Sequence, residues 1–234
     1  MSENIKKTTK AFRVDLDSSK NQIMLKPSAR SFNNQAHQVS EVAKKIHELI
    51  KNAPYSNDDI VLNRNEIKEA FFSPFKPQLK NAQVFLSHSH ADKNKALGVK
   101  DYLESKTKRK VFIDSLFWDY KDDVLTKLAK HDDISKIKNA FTLILRESLQ
   151  DMIEKCPYFV FLQSKNSVSN QGLSRITYSA WIYEELKIAH SISAISESHL
   201  IPMMESMQVF HDISPFLESL KTITLSKLSR IINS

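Results

Sequence analysis

The rhythm of apolar and polar positions changes along the chain, and the largest change falls near residue 82. Residues 1–31 are polar, with Lys, Ser and Asn throughout, and predict a flexible basic tail. Over 32–52, Val39, Val42, Ala43, Ile46, Leu49 and Ile50 recur at spacings of three and four, which puts them on one face of a helix. Pro54 marks a break, and a shorter helix over about 64–72 ends before Pro74 and Pro77. Residues 32–81 therefore read as a helical extension.

From Gln83 the pattern alternates between short apolar runs and helical stretches. Val84-Phe85-Leu86 runs into the polar group Ser87-His88-Ser89-His90. A helix over about 91–106 follows, with Ala96, Leu97 and Leu103 available for burial. A second strand, Lys110 to Ile113, ends at Asp114. A long helix over 138–155 carries Phe141, Ile144, Leu145, Leu149, Met152 and Ile153 at helical spacing. Tyr158 to Leu162 is continuously apolar, the composition of a strand buried on both faces of a parallel sheet. A helix over 178–192, strands at His199 to Met203 and Thr222 to Leu225, and a short helix near 214–220 complete the pattern. Strands alternating with helices predict an α/β domain over 82–234, with a parallel sheet flanked by helices on both faces. Ligands of such sheets bind at the carboxyl ends of strands. That rule singles out Ser87-His88, Asp114-Ser115 and Gln163-Ser164. Gly98 and Gly172 are the only glycines, and neither sits in a phosphate-cradling motif.

Charge adds one distinction. The net charge is +7, and it is uneven: residues 1–80 hold 14 Lys+Arg against 9 Asp+Glu, leaving 20 against 18 in residues 81–234. The basic surplus lies mostly outside the patterned region, so nucleic-acid binding is the weakest functional alternative. The single cysteine, Cys156, excludes an internal disulfide framework and a Cys-rich zinc site. His88 and His90 have no third ligand nearby in the sequence, so no metal is expected. The N-terminus lacks the apolar stretch of a signal peptide, and no run reaches the roughly 18 apolar residues of a membrane span. The expectation is a cytoplasmic protein without a membrane partner.

Three segments, in order, carry a resemblance. Val84-Phe85-Leu86-Ser87-His88-Ser89-His90-Ala91-Asp92-Lys93 resembles the opening strand and turn of bacterial Toll/interleukin-1 receptor (TIR) domains. Val111-Phe112-Ile113-Asp114-Ser115, followed by Trp118, resembles their second strand and the loop after it. Tyr158 to Ser164, then Ser179-Ala180-Trp181-Ile182-Tyr183-Glu184-Glu185-Leu186, resembles the third strand and the helix with its Ser-x-Trp…Glu-Leu signature. The resemblance covers most of 82–190 and implies a flavodoxin-like five-stranded parallel sheet, in agreement with the strand count. It leaves the first 80 residues outside, and the insert between Trp118 and the helix at 138 is long for the family.

The resemblance further implies NAD as a substrate rather than a cofactor, with cleavage of its nicotinamide–ribose bond. The ADP-ribose product would be linear, cyclic or conjugated, and would serve as a signal to a separate effector protein in antiphage defence. The glutamate before Leu in the signature becomes Glu185, the expected catalytic residue. Nicotinamide leaves readily because its ring is cationic, and departure creates an oxocarbenium-like ribose that a carboxylate stabilises. Glu185 lies four residues after Trp181 and shares a helix face with Tyr178, while Glu184 is turned roughly 100° away. Ser87 and His88 would contact phosphate or ribose, or only close a turn. Asp114 would order the following loop or cap it. Trp118 would stack on substrate or anchor the loop, which is expected to order through self-association. Trp181 would position the helix, and Tyr178 and Ser179 would cap it or touch ribose. Two rival readings stay open: a non-catalytic TIR interaction module, and a nucleoside or nucleotide glycosidic-bond enzyme resembling deoxyribosyltransferases.

Overall fold

A computed structural model describes residues 9–25, 36–56, 59–60, 62–75, 81–193 and 210–234. They form two compact units: one from residues 1–28, 82–115 and 150–234, the other from 29–81 and 116–149.

The first unit is α/β. In chain order its strands are β1 (Lys10–Asp15), β2 (Ala82–His88), β3 (Lys110–Ile113), β4 (Tyr158–Gln163), β5 (Ser169–Gln171), β6 (Ser174–Thr177), β7 (His211–Asp212) and β8 (Lys221–Thr222). Five of them make an all-parallel sheet in the order β3-β2-β4-β1-β8. Strands β5, β6 and β7 form a separate antiparallel sheet. The spatial order is flavodoxin-like, with helices on both faces of the sheet. Strand β4 is the middle of the sheet with β2 beside it: Val84, Phe85 and Leu86 are fully buried, as are Phe159 to Leu162 on β4, which is the burial their near-continuous apolar sequence demands.

The fourth position of the sheet overturns the expectation of a flexible tail. Residues 10–15 fill it, pairing with β4 from Lys10↔Tyr158 to Asp15↔Gln163 and with β8 at Phe12↔Lys221 and Arg13↔Thr222. Phe12, Val14 and Leu16 alternate into the core, between Arg13, Asp15 and Asp17. The buried Asn21 then locks this segment to the chain's end: its Nδ2 donates to the Asp15 carbonyl at 2.7 Å, and its Oδ1 accepts from Leu225 N at 3.0 Å. The expected strand at 199–203 lies outside the described residues. The expected strand at 222–225 is shorter, because Thr224 caps a helix that begins at Leu225, accepting from Lys227 N.

The second unit is helical. Its helices are α1 (Ala36–Lys51), α2 (Arg64–Phe72), most of α4 (Ser115–Leu128) and most of α5 (Ser135–Lys155); α3 (Lys93–Thr107) belongs to the first unit. Asn63 caps α2, accepting from Asn65 N at 2.9 Å. Phe71 is fully buried and meets Tyr120 and Phe141 edge-on at centroid distances of 5.1 and 5.6 Å. The segment after β3 is thus helix α4 and not the expected loop 115–121. Tyr120, in this segment, is buried within the helical unit at 1% exposure.

Candidate active site

Helices α6 (Ala180–Ser193), α7 (Ser214–Ser219) and α8 (Leu225–Asn233) also belong to the first unit. Helix α6 packs against β1, β2, β6 and α7. Ser179 precedes it, its Oγ accepting from Ile182 N at 3.3 Å as a helix cap does. Because neighbours cover α6 on several sides, both acids of its Glu-Glu pair are buried. Glu185 is 0% exposed and Glu184 is 3% exposed. The turn of roughly 100° that separates Glu184 from Glu185 therefore does not take it out of the packed interior. It lies beside His211, whose ring stacks on Tyr183 at 4.7 Å. Burial pushes the His211 imidazole below its ordinary value, and Glu184 opposes that shift.

Four of the expected site residues converge where the sheet's strands end. Ser87 and His88 close β2, Asp114 directly follows β3, and Glu185 projects from α6. All four are buried. His88 Nδ1 lies 2.7 Å from Asp114 Oδ1, although not in line for a well-formed hydrogen bond. The same oxygen accepts from Ser115 N at 2.7 Å. The Glu185 carboxyl faces Asp114 and the Ser87 hydroxyl. Neither of its oxygens has an aligned hydrogen-bond partner. Desolvation first, and the Asp114 charge second, hold Glu185 well above the usual carboxylate range.

The other candidates sit apart from this cluster in kind. Tyr178 is 58% exposed at the approach to α6. Trp181 lies in the first turn of α6 and is half-buried. Trp118 is part of α4, and its side chain falls outside the described residues. The third strand end forms its own polar group, which residue reading missed. Ser164 donates its hydroxyl to the buried Asp92, which also accepts from Asn166 Nδ2 at 2.9 Å. Asp17 joins the two, accepting from Lys165 N at 2.9 Å and meeting Lys95 at 3.2 Å. The signal for this group was the rule that already chose Ser164: polar side chains at parallel-strand ends satisfy one another when no ligand does.

Among the described residues no three His, Cys, Asp or Glu side chains are placed to hold a metal ion, and no helix is long and apolar enough to cross a membrane. Compared with known proteins, the chain matches no family model, no curated protein and no solved structure.

Proposed function

We propose that the protein cleaves the nicotinamide–ribose bond of NAD, with Glu185 as the carboxyl that stabilises the developing oxocarbenium-like ribose. The observation that carries the reading is one buried, poorly satisfied carboxyl beside two strand ends at the edge where sheets of this order bind ligands. Ser87 and Asp114 are the side chains that would meet the ribose or phosphates. Burial and the neighbouring Asp114 raise its ionisation well above the usual carboxylate range. The cationic pyridinium of NAD is the group whose arrival favours ionisation, and the oxocarbenium inherits that partner once nicotinamide has left. Resemblance to bacterial TIR domains extends the proposal to an ADP-ribose-derived signal, self-association and a separate effector in antiphage defence.

Complete burial of Glu185 favours a second reading, a non-catalytic interaction module in which the four residues only tie α6 to the sheet. Incubating the protein with NAD and identifying every product by mass spectrometry decides between them. Nicotinamide that disappears with Glu185→Gln supports the enzyme. An inert protein, across NAD and a panel of nucleosides and nucleotides, supports the module. Release of a base from a nucleoside but not of nicotinamide from NAD would transfer the same site to the deoxyribosyltransferase-like alternative.

A further inference from the structure

The parallel sheet ends on one side at β3, whose ladder partner is β2 alone. A strand with one neighbour turns alternate backbone groups outward, where a further strand could pair with them. On β3 these groups belong to Val111, and both are occupied by side chains of α3. The Val111 N–H donates to Glu104 Oε1 at 3.0 Å, and the Val111 carbonyl accepts from Lys100 Nζ at 2.6 Å. The two side chains also meet each other, Lys100 Nζ donating to Glu104 Oε1 at 2.7 Å. Together they supply the acceptor and the donor that another strand would supply.

The pair suits the strand better than it suits its own helix. Lys100 and Glu104 lie one turn apart on α3 with lysine first, the poorer order for supporting a helix. An ion pair with both members partly exposed contributes little by itself. Other edges in the first unit are blunted differently. Strands β7 and β8 are two residues long, and β5 is the polar Ser169–Gln171. Among the described residues of this unit, β3 alone brings an apolar run, Val111-Phe112-Ile113, to a sheet edge, and such runs add strands readily.

We propose that Lys100 and Glu104 are an edge guard, which keeps β3 from pairing with the β3 of a second copy of this chain. A second copy is the fitting occupant because a two-fold axis sets the same apolar run, with the same outward groups, on both sides of the contact. The guard is independent of NAD cleavage, since no residue of the Glu185 cluster takes part in it.

Hydrogen exchange by NMR and sedimentation equilibrium, both on the full chain, test the guard. Lys100→Ala/Glu104→Ala should leave α3 helical, because alanine favours a helix. The Val111 amide should then exchange about tenfold faster or more, the loss of one charge-assisted hydrogen bond. At equal concentration the variant should associate about tenfold more tightly than wild type, with the same far-ultraviolet spectrum. Glu104→Gln keeps an acceptor for Val111 and should hold its exchange within about threefold of wild type. Lys95→Ala removes a different ion pair of the same helix, the one with Asp17, and should change neither reading. If the double variant does not fold, Lys100→Met frees the Val111 carbonyl, and association is then the reading. Unchanged exchange at Val111, or faster exchange without tighter association, would overturn the proposal. Equal association in Lys95→Ala would overturn it too, by making the effect one of lost charge and not of an opened edge.

Discussion

Two stretches that the chain's texture set apart from the α/β pattern meet opposite fates. Residues 10–15 become a strand inside the parallel sheet, whereas the helices at 36–51 and 64–72 join α4 and α5 in a compact unit of their own. Both precede residue 82. The difference lies in what each can bury. Strand β1 offers Phe12, Val14 and Leu16 in strict alternation, and its backbone needs partners on both sides. Helices satisfy their own backbone, so α2 needs only an apolar counterpart, which Tyr120 and Phe141 supply to Phe71, and α1 packs on α2. Order along the chain thus says little about membership of a core.

Removing residues 1–28 is the severest way to break this contrast. Three buried apolar side chains, Phe12 and Val14 on β1 and Leu16 just after it, would be lost at about 1.5–3 kcal/mol each, together with the ladders to β4 and β8. The α/β unit should then lose cooperative unfolding in a urea titration followed by circular dichroism. A sharp transition in the truncated protein would show that β1 is an accessory strand.

Phe71→Ala sharpens the contrast from the other side. Its fully buried ring touches Tyr120 and Phe141, so truncation should cost about 3–5 kcal/mol within the helical unit. Hydrogen exchange should rise across α1, α2 and the core of α5 while β2 and β4 stay protected. Uniform loss of protection would mean the two units unfold as one.

At the candidate site, Glu185→Gln should reduce nicotinamide release by roughly a hundredfold, about 3 kcal/mol in the barrier, with a native far-ultraviolet spectrum. The same variant should change the pH dependence of stability. Burial and Asp114 raise Glu185 in the folded state. Its contribution is therefore complete below the unfolded glutamate value of about 4.3 and is lost as pH rises through the raised folded value. Wild-type stability should decline over that range, and Glu185→Gln should flatten the decline. Parallel pH curves for the two proteins would contradict the assignment. Glu184→Gln is not a silent control, because Glu184 is buried beside His211.

The smallest effect belongs to the helical unit's surface. His47 Nδ1 meets Asp132 at 2.9 Å, but the ring is a third exposed. His47→Ala should cost less than about 1 kcal/mol in a denaturant titration. A larger loss would show that this pair joins α1 to the rest of its unit.

Sequence alone determined the elements whose signals are local. The apolar runs at 84–86, 111–113 and 158–162 mark strands wherever they lie, and helical spacing marked 138–155, which extends to Ser135–Lys155. Sequence also placed Ser87, His88 and Asp114 at strand ends, where sheet geometry gathers them. The alternation of Phe12, Val14 and Leu16 was legible too, but a six-residue strand amid polar neighbours carries too little periodicity to outweigh composition. Only the tertiary structure could insert it between β4 and β8, because strand pairing is a contact between distant residues. Only packing on several sides of α6 could bury Glu184 together with Glu185, since a single helical period assigns one face and not the number of neighbours. The approach of His88 to Asp114, and the complete burial of Glu185, arise only in the assembled unit. Desolvation and charge proximity are properties of assembled space, and no spacing along the chain encodes them.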